Sequence, residues 1–229
     1  MATLGIKSTI KYFMVIYPCT ILLGISSSCK PTPDLTVESP DKNLLVTFKL
    51  GEGGNALFQV SSRGQLVLDW SPLGIVYSDG AFSSDLELDQ VSPLVSHQDD
   101  YELHHGKKST VNYLANEQTI QLSNESGAVL GITFRVSNDG VAFQYILPES
   151  ENEVIIQKEL TGYNFPKQTL MYVQPMSVAK TGWQSTNPSY EEAYKQAIPV
   201  NTPSEPGAGW VYPALFEVGE DWVLITEAG

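Results

Sequence analysis

The 229-residue chain is acidic, with 13 Lys and Arg against 26 Asp and Glu and a formal charge of −13. That balance repels polyanions, so it excludes nucleic acid and anionic lipid head groups as partners and suits neutral ligands or divalent cations. Hydrophobic residues at 42%, with 10% aromatics, suffice for the core of one large domain, which excludes a disordered bulk.

Residues 1–29 stand apart. Lys7 and Lys11 precede an apolar run from Tyr12 to Ile25, of signal-peptide length and short for a membrane-spanning helix. Ser26-Ser27-Ser28-Cys29 then resembles a bacterial lipoprotein cleavage site, with Cys29 as the lipidated first residue; Ser26 stands where Leu is usual. The expectation is export to the periplasm, or an outer-membrane-anchored lipoprotein of a Gram-negative bacterium. An ordinary secretory signal or a retained anchor is the alternative. Cleavage removes Lys7, Lys11 and Cys19, so the charge becomes 11 − 26 = −15 and no intramolecular disulfide can form.

Lys30 to Glu38 is polar and Pro-bearing and reads as a tether, with the domain proper at 39–229. Leu44 to Leu50 alternates apolar and polar residues, and Ala56 to Ser62 pairs with Gln65 to Trp70 across Arg63-Gly64. Ile75 to Tyr77 resumes after a break. Tyr101 to His104, Val111 to Leu114 and Thr119 to Leu122 read as further strands. Ile132 to Pro148 is a hairpin around Asn138-Asp139-Gly140, residues that tolerate the positive φ of tight turns. Val154 to Leu160, Leu170 to Val173, Tyr212 to Val218 and Trp222 to Thr226 complete the strands. Pro188 to Gln196 reads as a loop with a short helical turn. Short strands at intervals of about ten residues predict an all-β fold of two packed sheets, since a single sheet would leave an apolar face wet.

Several segments, in order, resemble the N-terminal domain of family-97 glycoside hydrolases. The hairpin matches its "FRA(Y/F)NDGVAFRY" segment, with Gln144 in place of the second Arg. Ser39-Pro40-Asp41-Lys42 resembles "SPDG", with Lys42 where Gly is common. Ser71 to Ile75, Gly106-Lys107-Lys108, Tyr190-Glu191 and Ile225 to Ala228 complete the series. The resemblance implies a large two-sheet antiparallel β-super-sandwich, similar to galactose mutarotase. It implies the support of a calcium-dependent α-glucosidase or α-galactosidase whose (β/α)8 barrel carries the catalytic carboxylates. The chain holds no barrel, so it is expected to be inactive alone. Its implied partners are an α-linked oligosaccharide and the barrel of the same full-length protein, with the membrane reached only through a lipid. The alternative is a non-catalytic carbohydrate-binding or structural lipoprotein domain.

The resemblance further implies one calcium ligand from an N-terminal-domain loop. Glu191 is the matching position, with Glu192 as the alternative. Calcium takes six to eight oxygens, so one carboxylate cannot hold it without the barrel. Trp183 and Tyr190 flank polar loop residues and are candidates for stacking on a sugar. His97, His104 and His105 form no zinc pattern, because neighbours on a strand point to opposite faces. Glu227, at a strand end, is assigned a structural role beside the domain junction. No catalytic residue is expected in this chain.

Overall fold

The computed structural model describes residues 34–78, 80–148, 154–178, 192–205 and 207–227. Among them are sixteen strands and no helix, and every strand pairing is antiparallel. The first sheet is a meander of β1 (Leu35–Glu38), β2 (Leu44–Leu50), β3 (Ala56–Ser62) and β4 (Gln65–Pro72). Its alternation is the cause of its burial pattern: Val46 and Phe48 on β2 and Ala56, Phe58 and Val60 on β3 point inward. Arg63 and Gly64 join β3 to β4 with φ of 50° and 78°, the left-handed pair that a two-residue hairpin of right-handed twist needs.

Two short strands, β5 (Ile75–Tyr77) and β6 (Gly80–Phe82), form a second sheet, flanked by β12 (Ile156–Glu159). The opposing layer is built from β7 (Glu87–Val91), β8 (Val95–Glu102), β9 (Thr110–Ser123), β10 (Val129–Ser137) and β11 (Val141–Ile146). Its inward residues Leu130, Ile132, Phe134 and Val136 are fully buried. Phe134 lies 6.3 Å from Phe48 and 6.0 Å from Phe58 between ring centroids, so the two large sheets face each other across this aromatic seam. A last sheet holds β13 (Leu170–Pro175), β14 (Lys195–Pro199), β15 (Trp210–Val218) and β16 (Asp221–Ile225). Met171, Val173, Ala214, Phe216 and Val218 join the same core, and Phe165 stacks on Phe216 at 4.1 Å. Each fully buried large side chain contributes about 2–3 kcal/mol, so this shared core holds the super-sandwich together.

The expected strands form, with informative differences. Leu35–Glu38, read as tether, is strand β1 and pairs with Leu45–Phe48; Val37 is buried, which a tether residue would not be. The separate strands at 111–114 and 119–122 are one strand of fourteen residues. The Asn138-Asp139-Gly140 turn forms without positive φ. Side chains hold it instead: Ser137 Oγ donates to Asp139 Oδ1 at 2.8 Å, and Asn138 Oδ1 accepts the Asp41 backbone N–H at 3.0 Å. Most of the expected helical turn at 188–196 lies outside the described residues, but Lys195 and Gln196 open strand β14.

Candidate functional site

The last sheet gathers polar groups at one end. β13 runs antiparallel to β14 and β15, and β16 antiparallel to β15. The carboxyl ends of β13 and β16 therefore lie with the amino ends of β14 and β15. This end carries Glu192 and Tyr194 before β14, Trp210 and Tyr212 on β15, and Glu227 after β16. The chain between β13 and β14 is the segment where the sequence places its candidates. Glu191, Trp183 and Tyr190 fall in it but lie outside the described residues, as does Cys29.

Glu192 is described and half-buried. Its Oε1 is fully enclosed and has no hydrogen-bond partner among the described residues. A buried carboxylate oxygen left unpaired costs on the order of 1–3 kcal/mol, more when charged, so a cation would relieve it. Lys195 is not that cation, because its Nζ donates to Glu205 Oε1 at 2.8 Å. Among the described residues no three His, Cys, Asp or Glu side chains converge as a metal cluster.

A second group, drawn from the end of β12, the segment after it, β15 and the end of β16, is one that the sequence did not reveal. Tyr163, Tyr212, Glu159 and Glu227 interact electrostatically. Burial pushes both phenols above their ordinary pKa, and the neighbouring carboxylates of Glu159 and Glu227 push further the same way. Both therefore stay protonated donors. Tyr145 extends the group: its hydroxyl accepts the Gly74 N–H at 2.9 Å and meets Thr161 Oγ1 at 2.7 Å, and Thr161 donates to Glu159 at 2.6 Å. Phenols and carboxylates at a sheet end can hydrogen-bond sugar hydroxyls or a docked domain. Glu159, Thr161 and Tyr163 are neighbours in the chain, but Tyr145, Tyr212 and Glu227 come from distant segments, so no spacing in the sequence could have joined the whole group.

The histidines form no joint site. His97 Nε2 lies 3.1 Å from Glu117 Oε1, close in distance but without hydrogen-bond geometry. His104 and His105 follow the end of β8 at a turn, with rings 6.4 Å apart. They are not on a strand, so the opposite-faces reasoning does not apply to them.

Residues 37–229 match the family model described as glycosyl-hydrolase 97 N-terminal. The chain belongs to this family. A crystal structure of a β-arabinopyranosidase superposes with a TM-score of 0.79 and 39% identity, over 86% of this chain and 32% of that one. A probable retaining α-galactosidase of Streptomyces bingchenggensis (strain BCW-1) is 27% identical over 175 residues, 76% of this chain and 25% of the relative. A glycoside hydrolase family 97 enzyme from Pseudoalteromonas sp. strain K8, solved with panose and with acarbose, shares the fold at a TM-score of 0.67. It is 24% identical over 81% of this chain and 27% of its own. The chain thus spans about a quarter to a third of these relatives' length. The family-97 N-terminal domain is a glycosidase-related sandwich, as its hairpin and ordered motifs suggest.

Proposed function

We propose that this chain is the N-terminal sandwich of an exported glycosidase and shapes one wall of the active site of a catalytic barrel. The observation that carries the reading is the family match over residues 37–229 together with relatives about three times as long as this chain. On substrate, 39% identity to a β-arabinopyranosidase and 27% to a probable α-galactosidase favour galactose-configured glycosides over glucosides. The two sugars fit one site in principle: β-L-arabinopyranose has the ring configuration of α-D-galactopyranose without the exocyclic carbon.

Glu191 is the proposed calcium ligand, with Glu192 as the alternative. The donor chemistry fits, since Glu192 Oε1 is enclosed and unpaired, and carboxylate oxygen is what calcium prefers. When bound, the ion would supply positive charge near the sugar hydroxyls and the developing transition state. The chain's own part is to deliver a carboxylate from the β13–β14 connection and to present the Tyr163 and Tyr212 hydroxyls as donors. No catalytic acid or base is assigned here, so the chain by itself is proposed inactive. Cys29 is proposed as the lipid anchor point.

The test is the longer polypeptide encoded by the gene's reading frame, assayed on aryl α-galactoside, β-L-arabinopyranoside and α-glucoside. Faster hydrolysis of the first two is expected. Preference for the glucoside would overturn the substrate assignment, and a frame encoding no barrel would favour the non-catalytic lipoprotein reading. Glu191→Gln and Glu192→Gln are compared by calcium titration; unchanged affinity in both removes the ligand assignment. Cys29→Ser should release the protein from the membrane fraction.

A further inference from the structure

The last sheet has an outer side as well as a core side. Met171, Val173, Ala214, Phe216 and Val218 face the core, so the residues between them face outward. Register places Tyr172, Leu215 and Leu224 in one outward row and Leu170, Glu217 and Trp222 in the next. β16 is an edge strand of this sheet, and its two outward side chains are the open ones: Trp222 is 56% exposed and Leu224 60%. An indole on the solvent side of an edge strand adds nothing to the core and invites association, so its place there has to be accounted for outside the core.

These rows are more than an apolar patch. The Tyr172 ring lies 5.3 Å from the Trp222 ring, inclined to it at 48°. The Tyr172 hydroxyl donates to Glu217 Oε2 at 3.0 Å, and Glu217 stands directly opposite Trp222. That bond orients the carboxylate beside the indole. Glu217 Oε1 makes no hydrogen bond among the described residues and is not enclosed, so it is open to an incoming donor. The face thus joins an open aromatic ring, apolar shoulders at Leu215 and Leu224, and one oriented, charged acceptor.

We propose that this outer face is a non-catalytic binding site for a galactose-configured unit of the oligosaccharide substrate. The inference rests on the function proposed above and adds a second place of contact with the same carbohydrate. The chemistry selects the ligand. In a galactopyranose the axial O4 leaves the C–H groups of C3, C4 and C5 on one face, a flat apolar patch that stacks on an indole, while the ring hydroxyls can donate to Glu217. A glucopyranose, with O4 equatorial, lacks that continuous patch. Anions are turned away by Glu217 on a chain of charge −13. A dry protein seat would enclose Glu217 Oε1, whereas a sugar brings hydroxyl donors and leaves the site wet.

The chain is titrated calorimetrically with stachyose, which carries α-galactosyl units, with maltohexaose, and with the anionic hexagalacturonate. Stachyose should bind saturably. Trp222→Ala should weaken it at least about ten-fold, Trp222→Phe by less because a ring remains, and Glu217→Gln by about three-fold. Circular dichroism matching the parent's shows that each variant keeps its fold. No stachyose binding by the parent overturns the site, and so does parental affinity in a folded Trp222→Ala protein. Maltohexaose bound as tightly as stachyose overturns the galactose assignment, and tighter binding of hexagalacturonate overturns the neutral class. If Trp222 reacts with N-bromosuccinimide in this chain but is shielded in the longer polypeptide, a protein surface occupies the face and the proposal fails. A longer polypeptide that hydrolyses galactosides while this chain binds none defeats the site and leaves the function standing; binding here without hydrolysis there does the reverse.

Discussion

Asn138 accepts the backbone N–H of Asp41 through its Oδ1 at 3.0 Å, across 97 residues of sequence. This bond ties the turn of the Asn-Asp-Gly hairpin to the Ser39-Pro40-Asp41-Lys42 turn that opens the domain. In that turn Ser39 Oγ donates to Asp41, and Asp41 accepts from both nitrogens of Asn43. Two segments legible only as separate local signals are thus one structural joint. Asn138→Ala removes the acceptor while leaving the hairpin strands intact, so it should cost about 1 kcal/mol. Denaturant midpoints of the two proteins measure this; an unchanged midpoint would show that water replaces the bond without loss.

The other end of the hairpin makes a second joint. Tyr145 accepts the Gly74 N–H and bonds Thr161, so Tyr145→Phe strands a backbone donor. The expected loss is about 1–3 kcal/mol. Gly74 itself admits no side chain, because an added Cβ would lie 2.6 Å from the Phe82 carbonyl oxygen. Gly74→Ala must move backbone and should destabilise by at least as much as Tyr145→Phe. Thermal unfolding of both variants checks the order, and a Gly74→Ala protein as stable as the parent would contradict it.

The strand pattern was readable because inward residues alternate within single strands, as in Ala56, Phe58 and Val60. What escaped depends on distant partners. Leu35–Glu38 reads as tether because its four residues acquire strand character only by pairing with β2. Residue types at the hairpin turn suit positive φ, yet Asn138 and Ser137 satisfy the turn through side chains. Glu159 and Tyr163 are unreadable as a group with Tyr212 and Glu227 for the same reason, because only packing brings the segment after β12 to β15 and the end of β16. Glu191 rests on resemblance alone and falls outside the described residues, whereas its neighbour Glu192 shows an unpaired enclosed oxygen that no sequence pattern announces.

The Arg135–Glu117 pair should give stability a carboxylate-type pH dependence. Partial burial raises the Glu117 pKa, but the Arg135 hydrogen bond at 2.6 Å and its charge outweigh this, with His97 adding to them, and the pKa falls below its ordinary value. A depressed carboxylate pKa stabilises the folded state fully above the unfolded-state value near 4.3, and that gain is lost as pH falls through the lower folded value. Arg135 is 43% exposed in its side chain, so solvent limits the pair to about 0.5–1 kcal/mol. Arg135→Gln should therefore lower the urea midpoint at pH 7 and have a smaller effect at pH 3. An equal effect at both values would mean that Arg135 acts through packing and not through charge.

Lys42 occupies the position where the family commonly has Gly, and its φ of 62° is the physical reason for that preference. A side chain in the left-handed region costs roughly 1–2 kcal/mol, because Cβ crowds the following carbonyl. Glycine removes the crowding but adds about 0.4–1 kcal/mol of unfolded-chain entropy. Lys42 donates its backbone N–H to the Ser39 carbonyl at 2.9 Å, a bond that glycine keeps. The net expectation for Lys42→Gly is a gain of about 0.5 kcal/mol. Lys42→Val, whose β-branch crowds the same region further, should instead destabilise by more than about 1 kcal/mol. The two variants bracket the parent in a urea titration if the turn conformation is right. Should both destabilise alike, the Lys42 side chain would be contributing through its own contacts, and the backbone account of the family preference would fail.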